Sequence, residues 1–115
     1  MQLATIRIND TEVLSVRCPR IDAKSGPRLL RLVSSSVEGG ARSVVLDLGP
    51  STVVDFAGAR ALQAAGEKLG PAGRLYLAGL NGRARAMLRS LNVDRHVHMV
   101  EWWTDAVEPT LQQAA

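Results

Sequence analysis

The sequence predicts an α/β fold: a mixed, mainly parallel β-sheet carrying about four α-helices. Three observations support this. Two alternating runs at the start are separated by a turn signal, which makes a hairpin. The run Ser43–Leu48 (SVVLDL) is almost continuously β-branched or aliphatic, as in strands covered on both faces. From there on, strand-like runs alternate with helix-like ones, giving the order β-β-α-β-α-β-α-β-α. At 115 residues the chain suffices for one domain, residues 1–115, and is too short for two.

Leu3 to Ile8 alternates, with Ala4, Ile6 and Ile8 on one face and Thr5 and Arg7 on the other, a half-buried strand. Asn9-Asp10 turns the chain, and Glu12 to Cys18 returns with Leu14 and Val16 inward. Cys18-Pro19 closes that strand. Asp22 or Ser25 caps a first helix whose opening turn tolerates Pro27, because the missing N–H has no helical partner there. Leu29, Val33 and Val37, with Leu30 and Leu32 beside them, form its apolar face, and Gly39-Gly40 ends it.

After Ser43–Leu48, Gly49-Pro50 breaks the strand and Asp55 caps a second helix with the stripe Ala61, Leu62, Ala65 and Leu69. Gly70-Pro71-Ala72-Gly73 leads into the strand Arg74 to Ala78. Asn81 caps a third helix with Ala84, Met87, Leu88 and Leu91 at i, i+3, i+4 and i+7. Asn92 to Asp94 is a turn, His96 to Val100 a short strand, and Thr104 or Asp105 opens a last helix with Val107 and Leu111.

The net charge of +3 is mildly basic, but the arginines are scattered except for Arg83, Arg85 and Arg89, and few aromatics lie nearby to stack on bases. No nucleic-acid partner is expected. No apolar run approaches the roughly 20 residues of a membrane-spanning helix, so no membrane insertion is expected. A lone Cys18 and an N-terminus without a signal-peptide pattern fit a cytoplasmic location. His96 and His98 alternate on a strand with no third ligand evident, so no metal is expected. No phosphate loop, nucleophile elbow or Cys/His pair with a base is present, so neither an enzyme nor a cofactor is expected.

The informative segment is the corner Asp55-Phe56-Ala57-Gly58 after the buried strand. Together with Ile21-Asp22 opening the first helix and Leu80-Asn81-Gly82 leading into Met87, Leu88 and Leu91, it resembles the STAS domain of bacterial anti-sigma factor antagonists. The resemblance runs from Leu3 to about Leu111 and implies the STAS fold and a partner-binding module. In that family a serine between the Asp and the Gly is phosphorylated by a kinase-like anti-sigma factor, and the added charge ends the binding. That position falls on Ala57 and the one before it on Phe56, and neither accepts a phosphoryl group.

The resemblance therefore implies partner binding through Asp55, Phe56, Ala57, Gly58 and Arg60, with Ser51 and Thr52 as alternative phosphoacceptors. Asp55 also reads as a plain helix cap, and Phe56 as either an exposed anchor or a core residue. Asp47, in the middle of its strand, is expected to support the corner by hydrogen bonding. Trp102-Trp103 reads as an interface anchor or as half-buried packing. The implied partner is an anti-sigma factor of the serine-kinase (GHKL) type. The alternative is an ABC ATPase of a lipid-transport system, whose STAS subunits also carry Asp-x-Ala-Gly at this corner. A nucleotide sensor is the third reading, with the helix starts at Asp55 and Asn81 as its phosphate sites.

Overall fold

The computed structural model describes residues 2–107. The elements run β1 (Gln2–Ile8), β2 (Thr11–Arg17), β3 (Arg20–Ile21), α1 (Ser25–Glu38), β4 (Ser43–Asp47), β5 (Val53–Val54), α2 (Phe56–Lys68), β6 (Arg74–Ala78), α3 (Gly82–Ser90), a 3₁₀ turn (Val93–Arg95) and β7 (His98–Val100). Residues 103–107 are helical, and the expected Leu111 position lies outside the described residues.

The main sheet has the order β1-β2-β4-β6-β7. Only the β1–β2 hairpin is antiparallel; β2–β4, β4–β6 and β6–β7 are parallel. Parallel neighbours need crossovers, and α1, α2 and α3 supply them. β4 lies at the centre, with Val44, Val45 and Leu46 fully buried, which explains its continuous apolar run.

The three helices cover one face of the sheet. Leu14, Val16, Val44, Leu46, Leu75 and Leu77 meet Leu29 and Val33 of α1, Ala59, Leu62 and Ala65 of α2, and Leu88 of α3. On the other face Ala106 and Val107 pack over Val13, Val45 and Ala78, with Trp103 and Ile8 at the margin. The mixed α/β sheet expected from the sequence is the one observed.

Several local expectations are corrected. β1 is a strand, but it is exposed along nearly its whole length, with Ile6 at 51%. Among the described residues its outer edge has no neighbour in the sheet, and only Ile8 of the strand packs on the second cluster. Ile21-Asp22 does not open α1. Ile21 pairs with Val54 in a separate two-stranded parallel sheet, and the helix starts at Ser25. The buried stripe of α1 runs through Gly26, Leu29, Val33 and Ser36, leaving Val37 half-buried. His96 and His98 do not share a strand, since His96 ends the 3₁₀ turn and β7 starts at His98.

Candidate functional site

The corner is assembled from three separate pieces of chain. β4 ends at Asp47, and a loop through Gly49, Pro50 and Ser51 brings the chain to β5. Gly49 turns there at φ +94°, in the left-handed region that favours glycine. Thr52 is 2% exposed, and its hydroxyl lies 3.0 Å from the Leu48 carbonyl oxygen and 3.1 Å from that of Cys18. Asn81 holds the loop from the other side. Its side-chain amide donates to the Pro50 carbonyl at 2.7 Å and to the Thr52 carbonyl at 3.3 Å. Its Oδ1 accepts the Ala84 amide at 2.9 Å, capping α3.

The short β3–β5 pairing then sets where α2 begins. Val53 N–H donates to the Pro19 carbonyl and Asp55 N–H to that of Ile21. Asp55 is the N-cap of α2, accepting the Gly58 amide at 2.8 Å, and it satisfies a donor that the first helical turn leaves free. Gly58 is buried against β3: a Cβ at this position would land on the Ile21 carbonyl oxygen. The small sheet and the glycine therefore fix the helix start tightly.

This arrangement leaves Phe56 outside. Its ring is 59% exposed, and Val53, which precedes the cap, is 50% exposed. The Arg60 guanidinium, one helical turn on, lies 5.1 Å from the Phe56 ring centroid. That is within cation–π range and restrains the ring on the surface. Beside Val53 a small groove of about 130 Å³ runs between β5 and α3, lined by Val54, Asn81, Arg83, Ala84 and Met87.

On the opposite flank the loop before α1 is tied down by Asp22. Its Oδ1 accepts the amides of Ser25 and Lys24, each at 3.0 Å. The Ser25 amide bond, and after it that of Lys24, hold the Asp22 carboxyl below its usual value of 3.8, with desolvation opposing them. Ser25 returns the contact, accepting the Asp22 amide and donating to the Arg20 carbonyl at 2.6 Å. Neither residue expected to cap α1 is its N-cap, which is Lys24: Asp22 lies before it and Ser25 is the first helical residue.

A family model described as the STAS domain matches residues 3–114. This chain belongs to the STAS domain family. No curated protein sequence matches it significantly. Among solved structures it is similar to an anti-sigma factor antagonist from Mycobacterium paratuberculosis (TM-score 0.75, 22% identity, 92% of this chain and 90% of that one). It is also similar to the anti-sigma factor antagonist SpoIIAA in its unphosphorylated form (TM-score 0.71, 14% identity, 96% and 97% covered). The Bacillus cell fate determinant SpoIIAA in the phosphorylated form gives a TM-score of 0.65 at 13% identity, covering 95% and 99%. At these identities the likeness establishes the fold.

In this STAS domain Asp55, Phe56, Ala57, Gly58 and Arg60 stand together at the start of α2, with Phe56, Ala57 and Arg60 exposed and Gly58 turned against β3. Ser51 is exposed, whereas the Thr52 hydroxyl is buried between two carbonyls. Asp47 does not support the corner as expected. Its carboxylate instead accepts from the Ser15 hydroxyl on β2, at 3.5 Å. Trp102 is exposed and Trp103 half-buried. Among the described residues no three potential metal ligands cluster, and no helix is long and apolar enough to cross a membrane. The sequence reading missed Val53, Arg83 and Met87 as a lining. The β-branched run Thr52-Val53-Val54 ahead of the cap was the available signal.

Proposed function

We propose that this STAS domain is an anti-sigma factor antagonist. It acts by protein–protein binding through the corner Asp55-Phe56-Ala57-Gly58 and Arg60, without enzymatic activity. The observation that supports this most is the exposed Phe56 ring at the helix start, held by Arg60 and continued by Val53. An aromatic and an arginine at the centre of an exposed patch are the residue types that dominate binding energy at interfaces. The partner proposed is a cytoplasmic anti-sigma factor of the serine-kinase type.

Ala57 stands where relatives of this type carry the phosphorylated serine. The domain thus lacks that switch and stays in its binding-competent form. Of the two other hydroxyls, Ser51 is accessible and Thr52 is not. The missing hydroxyl also supports the second reading, a subunit that clasps the ATPase of a lipid-transport ABC system.

The test is affinity capture of the tagged protein from its host, alongside Phe56→Ala and Arg60→Ala. Recovery of a kinase-like anti-sigma factor, lost with either variant, is the expected result. Recovery of an ABC ATPase instead would overturn the antagonist reading and select the second.

A further inference from the structure

A second surface lies at the far end of α2, away from the corner. There the end of α2, the turn into β6, the 3₁₀ turn and the start of β7 surround a cleft of about 450 Å³, within the usual range for small-molecule sites. Four basic or imidazole residues line it from three elements: Arg74 from the start of β6, Arg95 and His96 from the end of the 3₁₀ turn, and His98 from β7.

The charge in this cleft is unbalanced. Among the described residues the ion pairs are Arg7–Glu12 and His96–Glu67, so neither Arg74 nor Arg95 has a carboxylate within 4.0 Å. Glu67, the one acid in the lining, is already engaged: its Oε1 accepts from Gln63 Nε2 at 3.3 Å and lies 3.8 Å from His96 Nε2. The closing turn of α2 takes up two of its terminal carbonyls, with Leu69 N–H on Gly66 O and Gly70 N–H on Glu67 O. The partial negative charge of this helix end, about half an elementary charge, is smaller than the two full charges of the arginines.

The walls are also fixed. A Cβ on Gly66 would meet the His96 carbonyl and one on Gly73 the Arg42 carbonyl, so backbone packs directly on backbone beneath the cleft. His98 rests against Tyr76 with ring centroids 5.4 Å apart.

We propose that this cleft binds a small soluble anion bearing one or two phosphate groups, with Arg74 and Arg95 as its ligands. Guanidinium groups suit phosphate because their planar donors match its oxygens two at a time. The site is independent of partner binding at the corner and involves none of the same residues.

The experiment is a titration of the ¹⁵N-labelled protein with pyrophosphate at constant ionic strength, followed at the amides of Gly66, Gly70 and Gly73. Saturable shifts are expected. Arg74→Ala combined with Arg95→Ala should weaken binding about tenfold or more, while Arg31→Ala, an exposed arginine on α1, should leave it unchanged. Shifts that never saturate, or an equal loss with Arg31→Ala, would reduce the effect to diffuse charge attraction and overturn the proposal. Co-sedimentation with phosphatidic acid vesicles, lost in the double variant and not competed by pyrophosphate, would assign the cleft to a lipid headgroup and overturn the soluble ligand. Unchanged thermal unfolding of the double variant confirms that a loss of binding is local.

Discussion

Gly58 of α2 sits directly on the carbonyl group of Ile21 in β3, with no space between them for a side chain. The same residue donates its amide to the Asp55 carboxylate. Helix start, cap and small sheet thus meet at a single backbone contact. Replacing Gly58 with alanine adds helix propensity, worth at most about 1 kcal/mol. It also drives a methyl group into a backbone oxygen that cannot rotate away. Overpacking of this kind costs about 1–3 kcal/mol, and the backbone contact puts it at the upper end. Gly58→Ala should therefore be net destabilising in urea unfolding; a neutral or stabilised variant would mean that α2 moves freely over β3.

Asp55→Ala removes the only side-chain cap of α2 and should cost about 1 kcal/mol in the same assay. Asp55→Asn, which keeps an acceptor oxygen, should recover most of that loss. If both variants were equally destabilised, the carboxylate would be acting through more than its bond to Gly58.

Thr52→Val keeps the shape of a buried side chain but removes the hydroxyl whose single proton lies between the Leu48 and Cys18 carbonyls. A loss of about 1–2 kcal/mol is expected. A variant as stable as the parent would show that water replaces the hydroxyl, and hence that the loop opens.

Asp22 gives a pH signature. Its folded carboxyl is depressed below the ordinary value, first by the Ser25 amide and then by that of Lys24. Its stabilisation is therefore complete above the unfolded value of about 3.9 and is lost as pH falls through the folded value. Asp22→Asn should melt below the parent at neutral pH, and the gap should close in acid, below about pH 4. A gap that stayed constant down to pH 2 would assign the effect to something other than ionisation.

Phe56→Ala should leave stability within about 0.5 kcal/mol, since the ring is mostly in solvent. The contrast with Gly58→Ala, two positions away in the same turn of chain, separates a surface residue from a framework one. A large loss of stability in Phe56→Ala would show that the ring packs inward in solution.

The caps were legible in the sequence because they are local chemistry. Asp55 and Asn81 each bond to an amide three residues on, and their spacing is visible in one dimension. The central strand β4 was equally plain from its unbroken apolar run. β3 and β5 were not, because two-residue strands have no periodicity and Ile21 pairs with Val54 across more than thirty residues. Alternation identified β1 as a strand but carried no information on whether anything covers it. The side on which Phe56 emerges was also undecided, since the small sheet sets it. The basic cleft escaped notice because Arg74, Arg95 and His98 converge only once β6 and β7 are paired.

Asn81 links two parts of the domain that the chain itself keeps apart. One end of its amide group holds the loop carbonyls of Pro50 and Thr52, while the other holds the Ala84 amide in the first turn of α3. Displacing the loop cannot leave that helix end unaffected. The rate at which the Ala84 amide exchanges with deuterium becomes a built-in gauge of how firmly the corner is held, readable without labelling the corner itself.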